Sequence, residues 1–186
     1  MSNRIAFATF VVLGLIVSTG ARAQPPPAAP RELTALDYFQ IQQLVAQYAR
    51  AIDTCSNNGY DYANLFTADG AFIPSFDGKR GSPVQGRDRL AAISGGGSNE
   101  CKNVPWIAQG VRHIYTNHII TPTADGASGY VDMLMIGLGG DPNKIEYDGH
   151  YEDLYVRTPE GWRFKQRVHH ALLREGQRTA RPASAQ

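Results

Sequence analysis

The chain carries almost no net charge: 18 basic residues stand against 17 acidic ones, a balance of +1 with histidine neutral. Holding nucleic acid by its phosphates needs a basic surplus or a basic stripe, and neither is present. Beyond the first two dozen residues there is no long apolar run, so no later segment reads as a membrane span of about 20 residues. Cysteine is scarce. Cys55 and Cys101 are the only two, and with no paired CxxC and no HxxxH on a helix, a metal site is not expected. Gly95-Gly96-Gly97 lacks the Lys-Ser/Thr that follows in a phosphate loop and does not form a dinucleotide fingerprint after a strand. No metal and no cofactor are therefore expected, and no nucleic-acid partner.

What is present begins with an export signal. Arg4 supplies a positive start, residues 5–17 are apolar, and Ala21-Arg22-Ala23 is a small-x-small cleavage site. Residues 1–23 are read as a signal peptide and 24–33 as a Pro/Ala-rich disordered leader. One domain follows over 34–173, then a disordered tail over 174–186. Cleavage removes Arg4 and Arg22 and moves the charge balance slightly to the acidic side. The mature protein is expected in the periplasm or secreted, with no membrane contact after signal cleavage. In that oxidising setting Cys55 and Cys101 can pair, which would be worth on the order of 3–4 kcal/mol; two unpaired thiols are the alternative.

Thr34 followed by Asp37 reads as a capping box with Asp in place of Glu. Behind it, Ile41, Leu44, Val45, Tyr48 and Ile52 fall at helical spacing and define one apolar stripe, with Asp53 one position past its end. A short helix over 60–66 is expected next, closed by the turn residues Asp69-Gly70, then a short strand over 71–73. Residues 75–86 read as a turn-rich connector, 87–93 as a third helix and 94–98 as a glycine-rich loop. From residue 111 the period becomes two, which predicts strands over 111–121, 127–138, 147–158 and 162–172. Helices followed by a run of antiparallel strands give an α+β fold. Helices on one face of a strongly bent sheet can enclose a cone-shaped pocket.

Strict alternation puts His113, Tyr115, Asn117 and Ile119 on one strand face and Arg112, Ile114, Thr116, His118 and Ile120 on the other. Histidine titrates near neutrality, and a buried carboxylate from Asp53 could fix its tautomer and support its protonated form. No strained Ser or Cys elbow accompanies the pair, so proton abstraction is favoured over acyl transfer. His150 is either a general acid opposite His113 or a rim residue. Tyr62, Tyr115 and Asn117 are candidate hydrogen-bond donors to substrate, and Trp106 a candidate pocket wall. His169 and His170 point to opposite faces and cannot serve one site together.

The order Ala51-Ile52-Asp53, Leu65-Phe66-Thr67-Ala68-Asp69-Gly70, Arg112-His113-Ile114-Tyr115-Thr116-Asn117, Gly149-His150-Tyr151-Glu152-Asp153 and Gly161-Trp162-Arg163-Phe164 resembles the SnoaL-like branch of the nuclear-transport-factor-2-like superfamily. The likeness runs over about residues 33–170. It implies a cone-shaped α+β barrel, its N-terminal helices packed on a strongly bent, mostly antiparallel sheet around a deep pocket. Members such as scytalone dehydratase and hexachlorocyclohexane dehydrochlorinase use an Asp–His dyad, onto which Asp53 and His113 map. His150 falls near a second histidine of scytalone dehydratase. The resemblance implies a cofactor-free lyase or isomerase acting on an apolar or aromatic small molecule, in a homo-oligomer (dimer or trimer). The superfamily also holds non-catalytic ligand binders and structural or oligomerisation subunits, and those readings stay open. Residues 54–59 and 94–106 depart from the family pattern.

Overall fold

A computed structural model describes residues 29–102, 104–108, 110–137, 141 and 144–172. The proposed signal peptide and tail lie outside these residues, as does the first half of the proposed leader. Helix α1 (Ala35–Thr54) starts where the sequence says it should. The Thr34 hydroxyl accepts from the Asp37 backbone N–H, and the Asp37 carboxylate accepts from the Thr34 backbone N–H. Asp37 also accepts from the indole of Trp162 and pairs with Arg157, so the cap doubles as a clamp onto the last hairpin. The Thr34 hydrogen bonds are the main reason its carboxyl is held down at about 2.

The predicted stripe is the buried stripe: Ile41, Leu44, Val45, Tyr48 and Ile52 all face the core. α1 ends at Cys55 in the left-handed region, and Asn57, Asn58 and Gly59 follow with positive φ through a 3-10 turn, Ser56–Gly59. Asparagine and glycine tolerate that region best. A Cβ on Gly59 would sit 2.4 Å from the Ala91 carbonyl oxygen, so the turn can only pack there as glycine. Cys55 is bridged to Cys101, 46 residues on, with Cα atoms 6.0 Å apart. The end of α1 is thereby tied to the loop beyond α3 (Arg87–Ile93).

Helix α2 is only Tyr60–Ala63, shorter than the sequence reading, and strand β1 runs Phe66–Phe76, much longer. Asp69-Gly70 does not end a helix. It lies inside β1, where the parallel pairing with β7 (Gly161–Leu172) breaks register between Phe66 and Ala71. The connector contains two short strands, β2 (Lys79–Arg80) and β3 (Val84–Gln85), both paired to β1. Helix α4 (Pro105–Ala108) precedes β4 (Arg112–Thr123), β5 (Gly126–Ile136) and β6 (Ile145–Thr158). The sheet order is β2-β1-β7-β6-β5-β4, antiparallel except for β1 with β7. The sheet is mixed, curved and not closed, and the helices pack into its concave face. No helix among the described residues is long and apolar enough to cross a membrane.

Tyr48, at the middle of the buried stripe, is the hub of this packing. Its ring centroid lies 4.9 Å from Tyr62, 5.7 Å from Phe164, 5.8 Å from Tyr151 and 6.1 Å from Tyr115. Each such aromatic pair adds about 0.5–1.5 kcal/mol beyond its buried area.

Candidate active site

Asp53 sits in the last turn of α1, where the helix dipole opposes a negative charge and no basic residue offsets it. Its compensation comes from β4. One carboxylate oxygen accepts from the His113 backbone N–H at 3.1 Å, and the other lies 2.5 Å from His113 Nδ1. Both side chains are largely buried. The two-point contact fixes the ring as well as the strand, and a proton on Nδ1 leaves Nε2 as the basic nitrogen.

Tyr115 stacks on His113 at 6.4 Å, and beyond it lies a second polar group that the sequence reading missed. Arg167 is fully buried. Its guanidinium lies over the rings of Tyr151 at 3.9 Å, Tyr48 at 4.0 Å, Phe164 at 4.6 Å and Tyr115 at 5.3 Å. Its Nε is 3.6 Å from Asp153 Oδ1. Asp153 accepts from the Tyr155 hydroxyl at 2.6 Å, and that hydroxyl is 3.1 Å from His118 Nε2. Burial pushes the Asp153 carboxyl up to about 6 although Arg167 and Tyr155 pull it down. Burial acts to lower the Arg167 value, but Asp153 and the nearby tyrosines outweigh it, and the guanidinium stays charged. His169 stacks on Tyr151 at 4.8 Å and is pushed down to about 3, mainly by burial. His118 is pushed down to about 4 for the same reason.

The other sequence candidates divide by sheet face. Tyr62 and Tyr115 are inside, and the Tyr62 hydroxyl lies 3.2 Å from that of Tyr48. Asn117 is outside, because a bulge between Thr116 and Ile119 breaks the alternation, with Asn117 at φ 52°. Its amide donates to Asp132 on the exposed face. The same bulge turns His118 and Ile120 inward, which reverses the face expected of both. His150 is also on the outer face, stacked between Tyr130 at 4.8 Å and His170 at 4.6 Å. His169 and His170 do point to opposite faces. The backbone of Trp106 lies in α4, and its side chain is outside the described residues.

A register shift also explains why Arg167 was missed. Carried back from the Thr158–Gly161 hairpin without interruption, the β6–β7 pairing would oppose Asp153 to Gln166. One extra residue at Lys165 brings Arg167 there instead. The signal in the sequence was an arginine two positions before an inward histidine on the same strand. Among the described residues, the one side-chain group with metal-ligand spacing is His150, Glu152 and His170 on the outer face, where Glu152 is already paired with Arg80. A crevice of about 110 Å³ between Arg31, Asp37, Asp125, Arg157 and Trp162 touches none of the candidate residues.

Residues 33–168 match the SnoaL-like domain family. No curated protein matches in sequence. Similar solved structures include a nuclear-transport-factor-2-like protein with a cystatin-like fold from Novosphingobium aromaticivorans, 22% identical, covering 81% of this chain and 86% of that one with a TM-score of 0.58. A scytalone dehydratase candidate from the same organism is 21% identical over 73% of this chain and 84% of its own, TM-score 0.53. LinA is 19% identical over 73% and 86%, TM-score 0.54. At these identities the likeness establishes the fold.

Proposed function

The chain belongs to the SnoaL-like domain family, and we propose that it is an exported, cofactor-free lyase or isomerase that removes a proton from carbon. His113 Nε2 takes the proton from a carbon next to an activating or leaving group. Asp53 holds the imidazole in the right tautomer and balances its charge as the imidazolium forms. Dehydration and double-bond isomerisation are the leading reactions, since both need one well-placed base and no cofactor. The observation that carries this reading is the double contact of the buried Asp53 carboxylate with the His113 ring and backbone. The similarity to a scytalone dehydratase candidate and to LinA is consistent with it.

The substrate is proposed to be a small molecule with an apolar or aromatic body, because Tyr115 stacks on His113 and leads into the ring cluster of Tyr48, Tyr151 and Phe164. His150 has no part in this scheme, since it lies on the other side of the sheet. Ile114, Ile119, Tyr130 and Leu154 are exposed on that outer side, which supports assembly into a homo-oligomer through it. The test is exchange of carbon-bound hydrogen in D2O, followed by mass spectrometry on a panel of hydroxy ketones and unsaturated ketones. Exchange or elimination by the wild type, lost in His113→Ala and Asp53→Asn with circular dichroism unchanged, supports the proposal. An active His113→Ala protein ends the assignment of His113 as the base, and binding without exchange or elimination by the wild type favours a non-catalytic binder instead.

A further inference from the structure

The proton-abstraction scheme leaves the most unusual buried group of the inner sheet face unused. Arg167 is fully buried, yet its Nε, Nη1 and Nη2 all lack a hydrogen-bond partner. Asp153 gives it an ion pair at 3.6 Å, beyond hydrogen-bond range. The rings of Tyr48 and Tyr151 cover the guanidinium at 4.0 and 3.9 Å. Such contacts stabilise the charge through the flat faces and use none of the five N–H donors, which project from the edge. Buried donors are normally satisfied; Asp153 Oδ1 faces Nε, so the unpartnered Nη1 and Nη2 mark the place where a ligand completes the set.

Three further polar atoms near Arg167 are in the same condition, and one of them is Asp153 Oδ1, which faces Nε. The Tyr115 hydroxyl and His169 Nε2 are buried without a hydrogen-bond partner. Both rings contact Tyr151, Tyr115 at 5.6 Å and His169 at 4.8 Å, so these two rings and the guanidinium surround one aromatic side chain. Tyr115 is also the ring stacked on His113. The Tyr115 ring therefore lies near both the guanidinium, at 5.3 Å, and the proposed base, at 6.4 Å.

We propose that the protein binds an organic acid whose ionised carboxylate docks on the edge of the Arg167 guanidinium and the Tyr115 hydroxyl. Two carboxylate oxygens match the guanidinium fork, which is the pairing planar N–H donors recognise best. The apolar or aromatic body of the acid lies against the tyrosine rings, and its reacting carbon reaches His113 past Tyr115. That last placement rests on the proton-abstraction reading; the carboxylate site does not.

The experiment compares benzoate and cinnamate with benzamide and cinnamamide, which keep the shape and lose the charge. Binding to the folded protein is read by calorimetry and by ligand-observed NMR up to tens of millimolar. The carboxylates are expected to bind at least about tenfold more tightly than their amides, a difference typical of a charge-assisted contact. Arg167→Met alone leaves Asp153 unpaired and can fail to fold, so the decisive variant is Arg167→Met with Asp153→Asn, which removes both charges. It is expected to bind benzoate at least about tenfold more weakly while amide binding is unchanged. If that pair does not fold either, the wild-type carboxylate-to-amide ratio decides. His113→Ala should keep carboxylate binding, which separates this site from the fate of the proton-transfer scheme. Equal binding of acid and amide, undiminished benzoate binding by the double variant, or no binding of any of the four probes overturns the proposal.

Discussion

The two faces of β6 and β7 carry nearly the same chemical groups and treat them in opposite ways. Inside are Tyr151, Asp153, Arg167 and His169; outside, one residue away on the same strands, are His150, Glu152 and His170. The outer groups are solvated and pair with one another: His170 with Glu152 at 3.0 Å, and Glu152 with Arg80 at 3.1 Å. The inner groups are dry. Asp153 is driven up to about 6 by burial, whereas Asp132 on the outer face is lowered, first by the Asn117 hydrogen bond. Residue type does not set the role of a histidine or an acid in this fold. The side of the sheet it faces does, because water can compensate a charge on one side only.

The largest break in that symmetry should be kinetic. Once a substrate is found, His113→Ala and Asp53→Asn should each lower kcat by about 100-fold or more, as removal of a general base or its orienting acid does. His150→Ala should leave kcat within a few-fold of wild type. A comparable loss in His150→Ala would show that the faces are not functionally separate.

Next in size is stability. Arg167→Met should cost about 3–5 kcal/mol at neutral pH, because it strands the Asp153 carboxylate in the interior. Removing the guanidinium also removes what holds the Asp153 carboxyl down, so the loss should shrink as pH falls and that group takes a proton. Adding Asp153→Asn should recover most of it. On the outer face Arg80→Ala removes an ion pair half open to water, worth about 0–1 kcal/mol. Urea unfolding of these variants makes the comparison directly.

The pH dependence of stability should carry the same contrast. His118 and His169 titrate at about 4 and 3 in the fold, below the ordinary 6.5. The unfolded chain therefore binds protons that the folded one refuses, and stability falls as pH drops from about 6.5 toward 4 and then 3. Asp153 works in the other sense. Its folded value of about 6 lies above the ordinary 3.8, so its contribution favours the fold at low pH and is lost as pH rises through that window. His169→Phe should flatten the acid limb of a urea-midpoint profile, and Asp153→Asn should steepen it. The smallest effect is expected for His150→Ala, a change of about 0.5 kcal/mol or less at neutral pH.

Much of this was legible in the chain. The Thr34–Asp37 cap, the stripe ending at Asp53, the helix over 87–93 and the β4–β7 meander follow from local rules, and their ends shift by only a few residues. Asp53 and His113 were legible because each lies at a fixed place on an element whose period is clear. Asn117 and His118 were misplaced, since a bulge between Thr116 and Ile119 moves every later side chain to the other face. Arg167 was invisible for the same reason, one extra residue at Lys165 having set its partner. Asp69-Gly70 reads as a turn by composition, yet it lies inside β1, at the break in register with β7 between Phe66 and Ala71.

The sequence by itself therefore determined α1, α3, the β4–β7 meander, the cap and the two residues of the proposed dyad, because helical and strand periods are written in neighbouring residues. Only the tertiary structure decided which histidines and acids meet inside the sheet and which meet water outside it. Those assignments depend on bulges, and a bulge is a property of how two strands pair rather than of either strand alone.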